Sequence, residues 1–379
     1  MRPHRISCRL LAGALAAALV LTIAATAAAV TKRGDAKANT IVGTPQADRL
    51  FGKGGNDTLR GLDGADRLDG GGGADRLSGG DGADRADGGL KRDRVNGGNG
   101  DDRLSGGTDR DVVLAGAGDD RGDGNGGADR VEGGAGNDRL FGGPGIDRVT
   151  GGPGDDGIEG GSQDDLLDGG GGSDTITGDA ADDRITGGPG NDTLNGGANE
   201  DRVDGGDGDD RVDGGVGSDL LSGGLGNDYI ADRLSAADEH ADGGAGDDYI
   251  LTGGGTDRVI LGGPGNDVLF GGRQRPEREG ADQFGDGISD GGPGNDIVLG
   301  GGANDRVTGG EGDDVLYGGA RLDIYDCGPG SDVAYVENGF EAVVAGVTCE
   351  RVVVADPSVS DPNFDGLDGA AHPGKATGG

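Results

Sequence analysis

Apolar residues recur along this chain with an unusual evenness. An aliphatic side chain stands two places after an aspartate, the aspartate returns every nine residues, and glycines fill most of the interval, as in "GGPGNDTLNGG" at 187–197. The register runs from Asp48 through Asp228, twenty-one aspartates without a gap. Its apolar partners are residues such as Leu59, Val95, Ile176 and Leu194, with Ala86 and Gly122 as the exceptions. A single apolar residue between two polar ones points in while its neighbours point out, which predicts a very short strand. Glycine at the first, second and fourth places permits positive φ and close backbone approach, which predicts a tight turn. The unit is G-G-x-G-x-D-x-U-x, with U aliphatic: six residues turn and three extend.

This unit resembles the RTX, or haemolysin-type, calcium-binding nonapeptide, and the resemblance covers most of the chain. It implies an all-β fold, a right-handed parallel β-roll solenoid with two nonapeptide repeats per coil. It also implies multiple Ca2+ ions held between stacked loops by the sixth-place carboxylates and by carbonyls of the glycine segments. Calcium suits such a site, because a hard cation takes six to eight oxygens in flexible geometry. Zinc would want His or Cys at close spacing, and the three His and three Cys here are scattered.

Two repeats per coil predict an 18-residue period above the 9-residue one. Of the ten loops ending at Asp66, Asp84 and every 18 residues to Asp228, nine keep glycine at the second and fourth places, Leu62 being the exception. Of the ten ending at Asp57, Asp75 and onward to Asp219, only three do, because Lys53, Lys91, Asp109, Asn125, Gln163, Asp179, Ala181 and Asn199 intrude. Irregularities gathered on one side favour a two-sided roll over a three-sided helix. They also lead one to expect a regular row of calcium sites and a weaker row opposite. The expected metal ligands are Asp57, Asp66, Asp75, Asp84, Asp102, Asp120, Asp138, Asp147, Asp156, Asp174, Asp192, Asp210, Asp219, Asp228, Asp248, Asp267, Asp296 and Asp314.

The uninterrupted block is expected over 43–231, with loop insertions at 232–242 and 271–290 and repeats returning at 243–270 and 291–335. After "CGPGSD" the chain turns richer in Val and aromatics, which suggests a small C-terminal cap over 336–354 closing the solenoid. Residues 30–42 read as a linker and 355–379 as a disordered tail. The first 29 residues place Arg2, Arg5 and Arg9 before an apolar run that ends in small residues, the pattern of a secretory signal peptide. The expected location is therefore extracellular, where Cys327 and Cys349 would form a disulfide pinning the cap.

A formal charge of −37, with 93 glycines and 3% aromatic residues, makes cations the natural partners. It argues against nucleic acid, a nucleotide or an anionic membrane. A chain of such charge and low hydrophobicity stays disordered until something neutralises it. Arginine fills the seventh place in thirteen of the twenty-one unbroken repeats, for example at Arg67, Arg103, Arg139 and Arg211. That outward stripe reads as a solvated face, the other reading being contact with an anionic polymer of the cell surface or matrix. "GPGDDG" at 152–157 lacks the strand and helix a nucleotide loop needs. "DPNFDG" at 361–366 begins like an EF-hand, but His372 stands where Glu is required. His240, beside Glu239, has no nucleophile near it in sequence.

The resulting expectation is a secreted, non-enzymatic calcium-binding protein that folds on binding calcium and acts as an extracellular structural or interaction module. Two alternatives stand beside it: a non-catalytic remnant or accessory of an RTX toxin or hydrolase, and a disordered acidic calcium buffer. The buffer accounts for the charge but leaves the regularly spaced aliphatic residue without a role.

Overall fold

The computed structural model describes residues 28–232, 240–252, 259–271, 287–302, 304–319, 323–337, 342–343 and 349–355. The expected signal peptide, most of both insertions and the tail lie outside these residues, as does the register residue Asp257. The described chain forms thirty-five strands, β1 (Thr31–Arg33) to β35 (Arg351–Ala355), and no helix. Odd-numbered strands build one sheet of 18 strands; even-numbered strands build the other. All pairings between these strands are parallel, and each strand pairs with the one a full coil away: Arg49 with Arg67, Arg67 with Arg85, Thr58 with Arg76. The chain is thus a two-sided parallel solenoid, as the 18-residue period requires.

A typical strand, β5 (Arg67–Gly72), shows how nine residues make half a coil. Arg67 is exposed, Leu68 buried, and Gly70 buried again. The aliphatic column of each sheet meets its counterpart in a core that is one side chain thick, with Leu50, Leu59, Leu140 and Leu167 at 0% exposure. Burial of one such side chain stabilises by about 1.5–3 kcal/mol, so the core grows coil by coil. At Gly122 the side chain is missing, and an added Cβ would lie 3.1 Å from Val131 Cγ1 and 3.2 Å from Leu140 Cδ2, so the neighbours have closed over the gap.

Both termini depart from the expected boundaries. The segment 30–42, expected as a linker, contributes β1 and β2 (Thr40–Val42), which pair in 18-residue register with the following coil. The segment 336–354, expected as a separate cap, continues the ladder: β33 (Val333–Glu337) pairs with β35, Val333 opposite Arg351. The described Val and aromatic residues here, such as Tyr335, Val343 and Val353, take strand positions of the ladder. One coil earlier, Tyr325 takes the aliphatic place; its OH accepts from Gly318 N–H at 2.8 Å and donates to the Tyr335 carbonyl at 2.9 Å. Cys327 and Cys349 form a disulfide with Cα atoms 5.3 Å apart. The ladder also resumes inside both expected insertions, at His240 of β24 (His240–Ala245) and Ile288 of β28 (Ile288–Pro293). Register is kept across them, with Tyr229 opposite Tyr249 and Val268 opposite Ile297. The coil spacing is 20 residues across the first and 29 across the second.

Candidate metal centre

Each register aspartate ends a glycine turn and precedes the outward residue of the next strand. That position turns its side chain back over its own loop, where all eighteen expected ligands are buried. The carboxylate spans two coils. Oδ1 accepts the backbone N–H of the aspartate one coil earlier: Asp138 N–H to Asp156 at 2.8 Å, Asp156 N–H to Asp174 at 2.8 Å. Oδ2 is the unusual atom. From Asp57 through Asp210, and again in Asp228, Asp248, Asp267, Asp296 and Asp314, it is buried without a hydrogen-bond partner in the protein. A buried unpaired polar atom costs roughly 1–3 kcal/mol, more when charged, and a whole series of them calls for a cation.

The structure brings these residues together in two rows, one on each edge of the roll. In the first, the ladder is continuous from Asp48 to Asp332 and crosses both insertions, Asp228 N–H meeting Asp248 and Asp267 N–H meeting Asp296, each at 2.8 Å. In the second it runs from Asp57 to Asp219. Asp48 is the end of its row, and Thr44 N–H occupies its Oδ2.

The glycines form the rest of the cradle. A Cβ on Gly151, the first residue of its turn, would collide with Asp156 Oδ2 and with the Gly169 carbonyl of the next coil. The same pair meets a Cβ on Gly79, Gly97 or Gly187, so backbone and carboxylate oxygens share one tight space. Among the described residues no three His, Cys, Asp or Glu side chains converge. A cation here would therefore be held by two carboxylates and by carbonyl oxygens, an all-oxygen set that fits calcium and offers zinc nothing.

Burial pushes these carboxyls upward: Asp84, Asp138, Asp165 and Asp210 rise to about 7, and Asp147 and Asp183 to about 6. The N–H bond to each opposes the rise, and for most of them carboxylates of neighbouring coils reinforce it. Because the folded value lies above the ordinary 3.8, the folded chain binds more protons than the unfolded one between these limits. Without metal, stability is therefore greatest near and below pH 4 and is lost as pH rises through about 7. In chelator the chain should show more folded structure, and a thermal transition if one exists, at pH 5 than at pH 7.5. No difference between the two would mean that the register carboxylates do not oppose folding.

The ligands expected from sequence leave out Asp93, Asp111, Asp129, Asp165, Asp183 and Asp201, which stand in the second row with the same Oδ1 bond and the same unpartnered Oδ2. They were obscured by the non-glycine residues beside them. Those residues take the glycine conformation regardless: φ is 73° at Lys91, 81° at Gln163, 92° at Ala181 and 87° at Asn199. A second feature escaped as well. At the fifth place of the first row Asn137 N–H donates to Asp119, Asp155 N–H to Asn137 and Ser173 N–H to Asp155, at 3.0, 3.1 and 2.8 Å. This outer polar ladder recurs up to Ser331. Opposite, Arg92, Arg110, Ala128 and Ile146 interrupt the fifth place, although the same bonds return there from Asp182 N–H to Asp164 and from Glu200 N–H to Asp182. The 18-residue recurrence of Asp, Asn or Ser there was the available signal.

The chain matches the family described as RTX calcium-binding nonapeptide repeat over overlapping stretches that together span residues 33–230, 235–275 and 290–320. No curated protein gives a significant match. Among solved structures, a hyperactive, Ca2+-dependent, beta-helical antifreeze protein from an Antarctic bacterium aligns over 83% of this chain and 85% of its own, at 20% identity and a TM-score of 0.33. That likeness is too loose to bear on function.

Proposed function

Since the chain belongs to the RTX calcium-binding nonapeptide repeat family, and is a calcium-binding repeat protein, we propose that its ions lie between successive loops of each row. Each ion would take the Oδ2 atoms of two register aspartates one coil apart, such as Asp138 with Asp156, together with turn carbonyls. The observation that carries this reading is the series of buried Oδ2 atoms with no partner in the protein. Calcium supplies the positive charge those oxygens lack. The protein supplies spacing: parallel strands hold neighbouring carboxylates about 4.8 Å apart, too close to stay ionised together unaided. Binding free energy thereby becomes folding free energy. Sites of extracellular modules bind calcium at about 10⁻⁴ to 10⁻³ M, which suits a chain exported unfolded and ordered outside the cell.

The role we infer is structural or interactive, outside the cell, and non-catalytic. His240, the one histidine that sequence made a candidate, opens a strand in register with Leu220. Equilibrium dialysis tests the proposal. Many calcium ions per chain are expected, roughly one for each gap between stacked register aspartates, undisplaced by equal magnesium, which demands octahedral geometry and dehydrates reluctantly. One or two ions per chain, or ready displacement by magnesium, would overturn it.

A further inference from the structure

The arginines of the seventh place are arranged differently on the two sheets: six in unbroken succession on one, interrupted by Val112 and Leu166 on the other. Arg49, Arg67, Arg85, Arg103, Arg121 and Arg139 occupy six successive strands of the odd-numbered sheet and stand directly opposite one another in register. All six are exposed. Neighbouring strands lie about 4.8 Å apart, so the six guanidinium groups form one column roughly 24 Å long. Like charges directly opposite on a sheet destabilise it. The face relieves this only in part: Asp69, Asp87 and Asp123 flank three of the six two places on, whereas Phe51, Ser105 and Phe141 flank the others. Among the described residues only Arg121 of the six reaches a carboxylate within ion-pair distance, Asp123 at 3.7 Å. A shallow groove lined by Ala47, Ala65 and Ala83 runs beside Arg49, Arg67 and Arg85.

Charge along the rod sharpens the contrast. Residues 30–150 hold 18 Lys and Arg against 22 Asp and Glu, while 151–337 hold 10 against 42. Twelve of the first 22 acids are register aspartates. If one Ca2+ fills each gap between stacked register aspartates, about two positive charges per aspartate, the N-terminal segment becomes strongly positive, whereas the remainder, starting from 32 excess acids, only approaches neutrality. The column then faces solvent in a positive field that the calcium-free chain does not have.

We propose that the six-arginine column is a calcium-unmasked binding site for a linear acidic polysaccharide of the uronate type. This rests on the calcium reading of the buried aspartates. An extended uronan carries one carboxylate per sugar, so those on the side facing the sheet recur along the chain and can meet arginines of the column, in the charge-assisted and often bidentate pairing that guanidinium favours. Single-stranded nucleic acid fits less well, because it wants aromatic platforms for its bases. The two aromatic rings bordering the column, Phe51 and Phe141, already lie under Arg33 and Arg121.

The test uses the calcium-loaded full-length mature chain and an oligogalacturonate of eight sugars, too short to gel, with binding followed by titration calorimetry at 0.1 M salt. Three charges are removed from the column in Arg85→Gln/Arg103→Gln/Arg121→Gln, and three from the opposite sheet in Arg130→Gln/Arg148→Gln/Arg184→Gln. Circular dichroism during calcium titration reports folding separately. The expected result is binding by the loaded wild-type chain, at least a tenfold loss in the column variant, and less than a threefold change in the control variant, with all three folding at the same calcium concentration. Folding by calcium without any oligogalacturonate binding would overturn this proposal while leaving the calcium reading intact. Equal losses in both variants, or equally tight binding of oligothymidylate, would also overturn it. A chain that does not fold with calcium would remove the premise instead.

Discussion

Gly151→Ala is expected to raise the calcium midpoint of folding at least tenfold and to remove one or two bound ions, while Gly157→Ala, six residues on, changes neither. Both glycines belong to the same coil, and neither is held at positive φ. The difference is space. A Cβ at 151 would collide with Asp156 Oδ2 and with the Gly169 carbonyl, and a backbone oxygen cannot swing aside as a long side chain can. Relief must come from separating two coils or turning the carboxylate away, and either disrupts the proposed site. At 157 the nearest atom to a new Cβ is the Asp138 carbonyl, 3.8 Å away, an ordinary contact. Alanine there reduces the freedom of the unfolded chain and is neutral or slightly stabilising, by up to about 1 kcal/mol. Calcium-titrated circular dichroism and equilibrium dialysis read both variants. Equal behaviour would mean that the first glycine of the turn does not border an ion.

The second large effect is expected from Asp156→Asn set beside Asp183→Asn. Asparagine keeps an oxygen for the N–H of the preceding coil, from Asp138 in one case and Asp165 in the other, both at 2.8 Å. What it removes is the charge on the buried second oxygen. In the first row the fourth-place residues beside Asp156, Gly154 and Gly172, sit at φ of 143° and 133°; in the second, Gln163 and Ala181 beside Asp183 sit at 81° and 92°. Peptides rotated by that much present their carbonyls differently, although the carboxylate ladders of the two rows match. Asp156→Asn should therefore lose ions on both of its sides and raise the calcium midpoint several-fold, with Asp183→Asn doing less. Relief of charge repulsion would affect both variants alike and cannot produce a difference. Identical shifts in midpoint and stoichiometry would show that the carbonyls contribute little and that both rows bind equally.

Much of this molecule was legible in its sequence because the repeat leaves little choice. A lone aliphatic residue at every ninth place can be buried only by stacking on its neighbour one coil away, and the one-sided scatter of Lys91, Gln163 and Asn199 fixed the number of sides. The ends were harder. Thr31–Arg33 and Thr40–Val42 lack the aspartates and glycines of the unit, yet Val30 and Asn39 still donate their backbone N–H to Asp48 and Asp57, so the ladder recruits them without their side chains. The terminal coil looked like a cap because the chain after Asp332 is richer in Val and aromatics, as at Tyr335 and Val336, yet these residues continue the strand ladder, Tyr335 standing opposite Tyr317. The regular carboxylate ladder of the second row was missed for a related reason. Glycine is the easiest residue at positive φ, but stacking on two neighbouring turns holds Lys, Asp, Gln and even Ala there. The arginine column could be counted from sequence; that its six members face one another without interruption on a single sheet depends on the register.

The central claim is that calcium, by completing the buried carboxylate rows, holds the solenoid together, and small-angle scattering of residues 30–379 at pH 7.5 tests it most directly. Eighteen strands at about 4.8 Å make a rod roughly 80 Å long, with a radius of gyration near 25 Å. A disordered chain of about 350 residues would give roughly 67 Å. With millimolar calcium the radius should be close to the rod value, in excess chelator it should approach the disordered value, and returning calcium should reverse the change. A compact rod that persists unchanged in chelator would contradict the claim.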